Sequence, residues 1–162
     1  VEVSMYGSQA LANLMHEHSN NTALAAQAGA APLLISLIQQ HPTHQHIPSL
    51  ALAALVNLCT TSEGTRAVKL ASYGPAHEPR GLESILRVMD LHSTNTNMLN
   101  YGCLLLFRTT QNDPRTSQQL RALRGVKELG NLVTSWLQSS GGTGGVNYCN
   151  LLLHTAKATK FL

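Results

Sequence analysis

Three stretches of the chain begin at a glycine and then repeat one spacing of large aliphatic residues: Gly29-Ala-Ala-Pro-Leu-Leu-Ile-Ser-Leu, Gly81-Leu-Glu-Ser-Ile-Leu-Arg-Val-Met and Gly125-Val-Lys-Glu-Leu-Gly-Asn-Leu-Val. Such a recurrence constrains the fold more than any single motif, because a repeated unit of this size buries its apolar face by stacking on its neighbours. In each stretch the apolar residues recur three and four apart (Leu33, Leu34, Leu37; Ile85, Leu86, Met89; Leu129, Leu132, Val133), which is the spacing of a helix face and not of a strand. A short helical stretch precedes each one, over Thr22 to Ala28, Thr65 to Ser72 and Ser117 to Arg124. The glycine then supplies the left-handed conformation that closes a helix. A third helix follows each time after a polar loop: Ile47 to Cys59 with Pro48 in its first turn, Asn97 to Thr109, and Val146 to Ala158.

The opening segment, Ser4 to Met15, matches this third helix, because Ala10-Leu11-Ala12-Asn13-Leu14 lies over Ala54-Leu55-Val56-Asn57-Leu58, with Asn13 and Asn57 44 residues apart. Residues 1–162 therefore read as one all-α domain: an orphan third helix (4–18) and three units of three helices (21–61, 64–111 and 115–159). About ten helices are expected, and no strand, since Val and Ile are sparse and helically spaced. Leu55, Leu58, Leu104, Phe107 and Leu152 form the third-helix stripes expected to bury. Two segments interrupt the repeat. Residues 75–80 are an insertion that two prolines keep extended, projecting from one rim. Ser139 to Gly145 is a glycine-dense linker, and it is no phosphate loop, because Val146 and Asn147 follow it where Lys and Ser or Thr are required.

Composition narrows the class of function. Eleven Lys and Arg against eight Asp and Glu give a net charge of +3, far short of the dense basic face of a nucleic-acid binder. No run of apolar residues approaches the roughly 20 needed to span a membrane, and no signal peptide opens the chain. Three cysteines without C-x-x-C spacing form neither a disulfide framework nor a zinc site and fit a reducing, cytoplasmic compartment. The start at Val1, already inside an apolar pattern, suggests a piece of something longer.

The spacing resembles the armadillo repeat, in which a short first helix leads through glycine into two longer helices. Asn21-Thr-Ala-Leu-Ala-Ala-Gln-Ala-Gly29-Ala-Ala-Pro-Leu-Leu-Ile-Ser-Leu is similar to the family's first-to-second-helix passage. Ser49-Leu-Ala-Leu-Ala-Ala-Leu-Val-Asn57-Leu-Cys is similar to its third helix, and Met89, His92, Asn95 and Tyr101-Gly102-Cys103 to a common variant. The resemblance implies a right-handed α-solenoid whose third helices line a concave groove for proteins or peptides. Import adaptors of the family carry a Trp one turn before the third-helix Asn. Gln9 and Ala53 stand there, so the tryptophan ladder is missing. The Asn position is paired with Leu106 in the second unit, and a groove that turns from polar to apolar does not suit an extended basic peptide.

Four residues are the groove candidates: Asn13 and Asn57 for their amides, Leu106 as an apolar floor, and Arg108 as a planar cation at the end of a third helix. Arg115, Arg121, Arg124 and Lys127 form a secondary basic patch, with Arg121 and Arg124 three apart on one helix face. Against a metal site, His41, His44 and His46 fall in the loop before one third helix while His16 and His18 follow another, about 18 Å away along a helix of about twelve residues. Solvated loop imidazoles are the plainer account. Cys59, Cys103 and Cys149 sit on third helices as buried thiols with nothing positioned to activate them. The sequence thus points to a non-enzymatic interaction scaffold or structural subunit of a larger assembly, without cofactor, binding on the third-helix surface or at the solenoid ends. A microtubule-associated cytoskeletal or ciliary component is the alternative, and a catalytic domain the reading from another class.

Overall fold

The computed structural model of the chain describes residues 1–73, 80–111, 113–123, 130, 131 and 134. Among these residues there are eight helices and no strand: α1 (Glu2–Met15), α2 (Ser19–Gln27), α3 (Ala30–Gln40), α4 (Ile47–Leu58), α5 (Ser62–Ala71), α6 (Arg80–Leu91), α7 (Thr96–Thr110) and α8 (Pro114–Ala122). The expected helix over Val146 to Ala158, the linker Ser139 to Gly145 and all of the insertion but Arg80 lie outside the described residues. Arg80 itself opens α6.

The short helices α2, α5 and α8 each begin three residues earlier than the spacing predicts, and for α5 and α8 the caps explain why. Thr61 accepts from the Gly64 amide, and Asp113 accepts from the amides of Arg115 and Thr116, so both stand ahead of the first turn as N-caps. Thr22, Thr65 and Ser117, read as helix starts, lie one turn inside. Each hydroxyl donates to the carbonyl four residues back, on His18, Thr61 and Asp113 at 3.0, 2.8 and 2.9 Å. Each also contacts the last turn of the preceding helix, at the carbonyls of Met15, Cys59 and Thr110. One hydroxyl per unit thereby fixes the angle at which a short helix leaves a long one, and supplies a donor to a carbonyl that the helix end strands.

Gly29 takes φ 81°, and α2 and α3 meet there at 72°. Gly81 has another reason to be glycine. It sits in the first turn of α6, donates its N–H to the Ser72 carbonyl at 3.0 Å, and a Cβ would collide with the Ser72 backbone. Gly125 lies outside the described residues.

Four helices pack on the one three places further along the chain: α1 on α4, α4 on α7, α2 on α5 and α3 on α6. Burial shows the register of that repetition. Ala31, Leu34, Ile35 and Ile38 of α3 are buried, and so are Leu82, Ile85, Leu86 and Met89, each 51 residues later in α6. Gly81 consequently corresponds to Ala30 and not to Gly29. Leu33, expected on the buried face, turns outward at 54% exposure. Leu55 and Leu58 are fully buried as expected, Leu104 and Phe107 are half-buried, and Leu152 lies outside the described residues. Gly102 lets α7 approach α6 so closely that a Cβ would overlap the Met89 side chain.

Each of these pairs also carries a polar tie. Gln27 donates to Glu63 between α2 and α5, and the His92 ring bonds the Pro42 carbonyl between the ends of α6 and α3. The loop histidines are less idle than the sequence suggests, because Nδ1 of His44 accepts from the amides of His46 and Ile47, both at 3.2 Å, and so caps α4.

Candidate binding site at the long-helix ends

The last turn of a helix leaves carbonyls without intrahelical donors. The ends of α1, α4 and α7 meet this need by reaching across to one another. The Ala12 carbonyl in α1 accepts from Nδ2 of Asn57 in α4 at 2.8 Å, and the Val56 carbonyl in α4 accepts from Nη1 of Arg108 in α7 at 2.6 Å. Ala12 and Val56 directly precede Asn13 and Asn57, so the two bonds join equivalent points of successive helices. Asn13 is exposed, and its side chain makes no hydrogen bond among the described residues. Asn57 and Arg108 are half-buried.

This geometry corrects one assignment. Arg108, 51 residues after Asn57, is its counterpart; Leu106 corresponds to Leu55 and is 3% exposed, a core residue and no groove floor. Leu-rich runs slide past one another by two residues without an obvious mismatch, and the hydrogen bond to Val56 is what fixes the pairing.

Arg108 also faces a hollow of about 440 Å³ lined by Cys59, Ser62, Thr65, Arg66, Lys69 and Gln111. Sequence reasoning missed this cluster, although Ser62, Thr65, Arg66 and Lys69 follow the i, i+3, i+4, i+7 spacing that places four residues on one helix face. Arg108 and Gln111, three apart, supply the other wall. Among the described residues, three cations line the hollow and no carboxylate does. Lys69 is paired with Asp113 at 3.2 Å. Burial alone would raise the Asp113 carboxyl. The Thr116 backbone N–H, the Lys69 ammonium and the Thr116 hydroxyl outweigh it and hold the carboxyl below its ordinary value. Arg66 is exposed and makes no hydrogen bond or ion pair among the described residues.

Cys59 and Cys103 are buried free thiols, as expected. Burial pushes Cys59 up to about 11 against the smaller opposing pull of Thr65, Arg108 and Lys69, and it pushes Cys103 up to about 12. Both remain neutral and weakly nucleophilic near pH 7. Cys149 lies outside the described residues.

Of the secondary basic patch, Arg115 is exposed and places its guanidinium 5.2 Å from the Tyr73 ring centroid, while the Tyr73 hydroxyl bonds that of Thr116 at 2.9 Å. Arg121 is exposed, and Arg124 and Lys127 lie outside the described residues. A second hollow of about 370 Å³ lies between the end of α3 and the start of α6, where Arg80 and Arg87 are balanced in part by Glu83. Among the described residues, no group of three His, Cys, Asp or Glu side chains gathers to hold a metal, and no single helix is long and apolar enough to cross a membrane. Compared with protein-family models, curated proteins and solved structures, the chain matches none.

Proposed function

We propose that this chain is a non-enzymatic protein-interaction scaffold, built as a right-handed solenoid of armadillo-like three-helix units, which holds a partner along the ends of α1, α4 and α7. The observation that carries the reading is the repeated bond from α4 to α1 and from α7 to α4, Asn57 to Ala12 and Arg108 to Val56. It lines up Asn13, Asn57 and Arg108 as one ladder of polar side chains with spare donors. Exposed Val3, Tyr6 and Leu14 on α1 form an apolar stripe that the same reading assigns to assembly contacts.

The test places a photo-crosslinking amino acid at Asn13 or Gln111 beside the ladder and, as a control, at Leu33 on the outer face of α3 or at His46. Adducts to one partner from cell extract are expected at the ladder positions and not at the controls. Replacing His41, His44 and His46 together with Ser should leave those adducts intact, since Ser at position 44 retains a capping oxygen. Adducts confined to Leu33 and His46 would place the partner elsewhere and end the proposal.

A further inference from the structure

The hollow beside Arg108 is selective in its chemistry. Ser62, Arg66, Lys69, Arg108 and Gln111 all present hydrogen-bond donors, and among the described residues no carboxylate lines the space. The donors are not equally committed. The Thr65 hydroxyl is used on the carbonyls of Thr61 and Cys59, and Lys69 is shared with Asp113. Arg108 gives one N–H to Val56, which leaves four of the five on its guanidinium. The Arg66 fork is uncommitted among the described residues. Two guanidinium groups with most of their donors spare, and an ammonium beside them, thus converge on one open space.

Such an arrangement fits a compact polyanion. A carboxylate brings one charge and two oxygens, whereas a phosphate monoester brings a charge of about −1.5 to −2 and three acceptor oxygens, enough to engage two guanidinium forks at once. A base-carrying ligand finds no aromatic side chain among the described residues of the lining on which to stack. A nucleic-acid strand needs cations spread along its backbone, not gathered in one hollow. The neutral Cys59 thiol adds no opposing charge.

We propose that the hollow formed by Arg66, Lys69 and Arg108 binds the phosphoryl group of a phosphorylated segment in a partner protein. The inference rests on the scaffold reading for its claim that the anion arrives on a protein, and goes beyond it in naming the chemistry that is recognised. Binding would then be switchable, because the unmodified segment offers a neutral hydroxyl where the site holds two to three positive charges.

The 162-residue chain is titrated with the peptide Gly-Ala-phosphoSer-Ala-Gly, its Ser and Glu counterparts, and inorganic phosphate, while the Nε–Hε signals of the arginines are followed by NMR. The phosphopeptide should shift the Arg66 and Arg108 signals saturably and bind more tightly than inorganic phosphate, and the Ser peptide should shift neither. Arg66→Ala should weaken the phosphopeptide about tenfold to a hundredfold, while Arg66→Lys retains part of the affinity. Arg66 is exposed and without a described partner, so an unchanged thermal melt of Arg66→Ala will show that a loss is not unfolding. Equal binding of the Glu and phosphoSer peptides would replace phosphate recognition with a general acidic site and overturn the proposal. So would inorganic phosphate binding as tightly as the phosphopeptide, shifts confined to other arginines, or wild-type affinity in Arg66→Ala. If the phosphopeptide fails while ladder crosslinks persist, this inference falls and the scaffold reading stands. If crosslinks form only at the control positions, the scaffold reading falls whatever the phosphopeptide does.

Discussion

At the α1–α4 junction a carboxamide, that of Asn57, reaches back to the stranded carbonyl of Ala12; at the α4–α7 junction a guanidinium, that of Arg108, does the same for Val56. The structural task is identical and the chemistry is not. A primary amide has two N–H donors and no charge, so once it has capped the neighbouring helix one donor and a neutral acceptor are left for recognition. A guanidinium performs the same cap with one of five donors and carries the rest, with its charge, into the hollow shared with Arg66 and Lys69. The comparison teaches that a residue can be required for packing and still be the best-equipped contact for a ligand, and it shows which substitutions separate the two roles.

The largest contrast is in the core beneath the two junctions. Leu14 and Leu58 occupy equivalent positions 44 residues apart, yet Leu14 is 59% exposed and Leu58 fully buried. Leu58→Ala should lower stability by about 2–5 kcal/mol through lost transfer energy and a cavity. Leu14→Ala should change it by about 0.5 kcal/mol or less. Urea unfolding of both variants checks this, and similar midpoints would mean that Leu14 and Leu58 are packed alike and that the contrast in burial does not hold.

Removing the caps comes next. Arg108→Ala strands the Val56 carbonyl and loses a charge-assisted bond, for an expected cost of about 1.5–3 kcal/mol, whereas Asn57→Ala loses a neutral bond worth about 0.5–1.5 kcal/mol. If Asn57→Ala is the more damaging in thermal unfolding, the guanidinium is not the stronger tie.

A smaller effect lies at Asp113, which caps α8 and pairs with Lys69. Its folded carboxyl lies below the ordinary value of about 4, so its contribution is complete above that pH and is lost as pH falls through the lower folded value. Asp113→Asn keeps a capping oxygen and removes the titration. It should cost about 0.5–1 kcal/mol at neutral pH, as befits a partly exposed pair, and flatten the acid limb of the stability profile. An acid limb as steep as that of the wild type would assign the pH dependence to other carboxylates.

How much of this was legible depends on whether a signal is local. The buried face of α6 follows from spacing alone, because Ile85, Leu86 and Met89 stand out against Glu83, Ser84, Arg87 and Asp90. In α3 the run Ala-Ala-Pro-Leu-Leu-Ile-Ser-Leu-Ile is apolar nearly all round, so spacing could not choose between Leu33 and Ile35, and the contact with α6 decides. Asn57 and Arg108, the groove candidates, lie near the ends of long helices. Their partners are backbone carbonyls, however, and a sequence says nothing about which carbonyl lacks a donor. The basic stripe on α5 is visible as a spacing, but it becomes a hollow only when Arg108, 39 residues beyond Lys69, is folded against it.

The smallest expected change in stability tests the comparison most directly. Arg108→Lys keeps one long, charged donor within reach of the Val56 carbonyl and replaces the rigid fork by a flexible ammonium. If capping needs only a donor, stability should stay within about 0.5 kcal/mol of the wild type, because the stranded carbonyl remains satisfied. If the hollow recognises a phosphoryl group through paired N–H bonds, the affinity for the phosphoSer peptide should nonetheless fall about three- to tenfold, since a point charge attracts the anion without matching two of its oxygens at once. The two measurements therefore move apart in one variant. Asn57→Gln, the corresponding conservative change at the other junction, should move neither by more than about 1 kcal/mol, because its amide carries no charge toward the hollow. Equal losses of stability and affinity in Arg108→Lys would mean that Arg108 acts on the ligand only by holding α7 against α4, and the guanidinium would then be a packing device like the amide of Asn57.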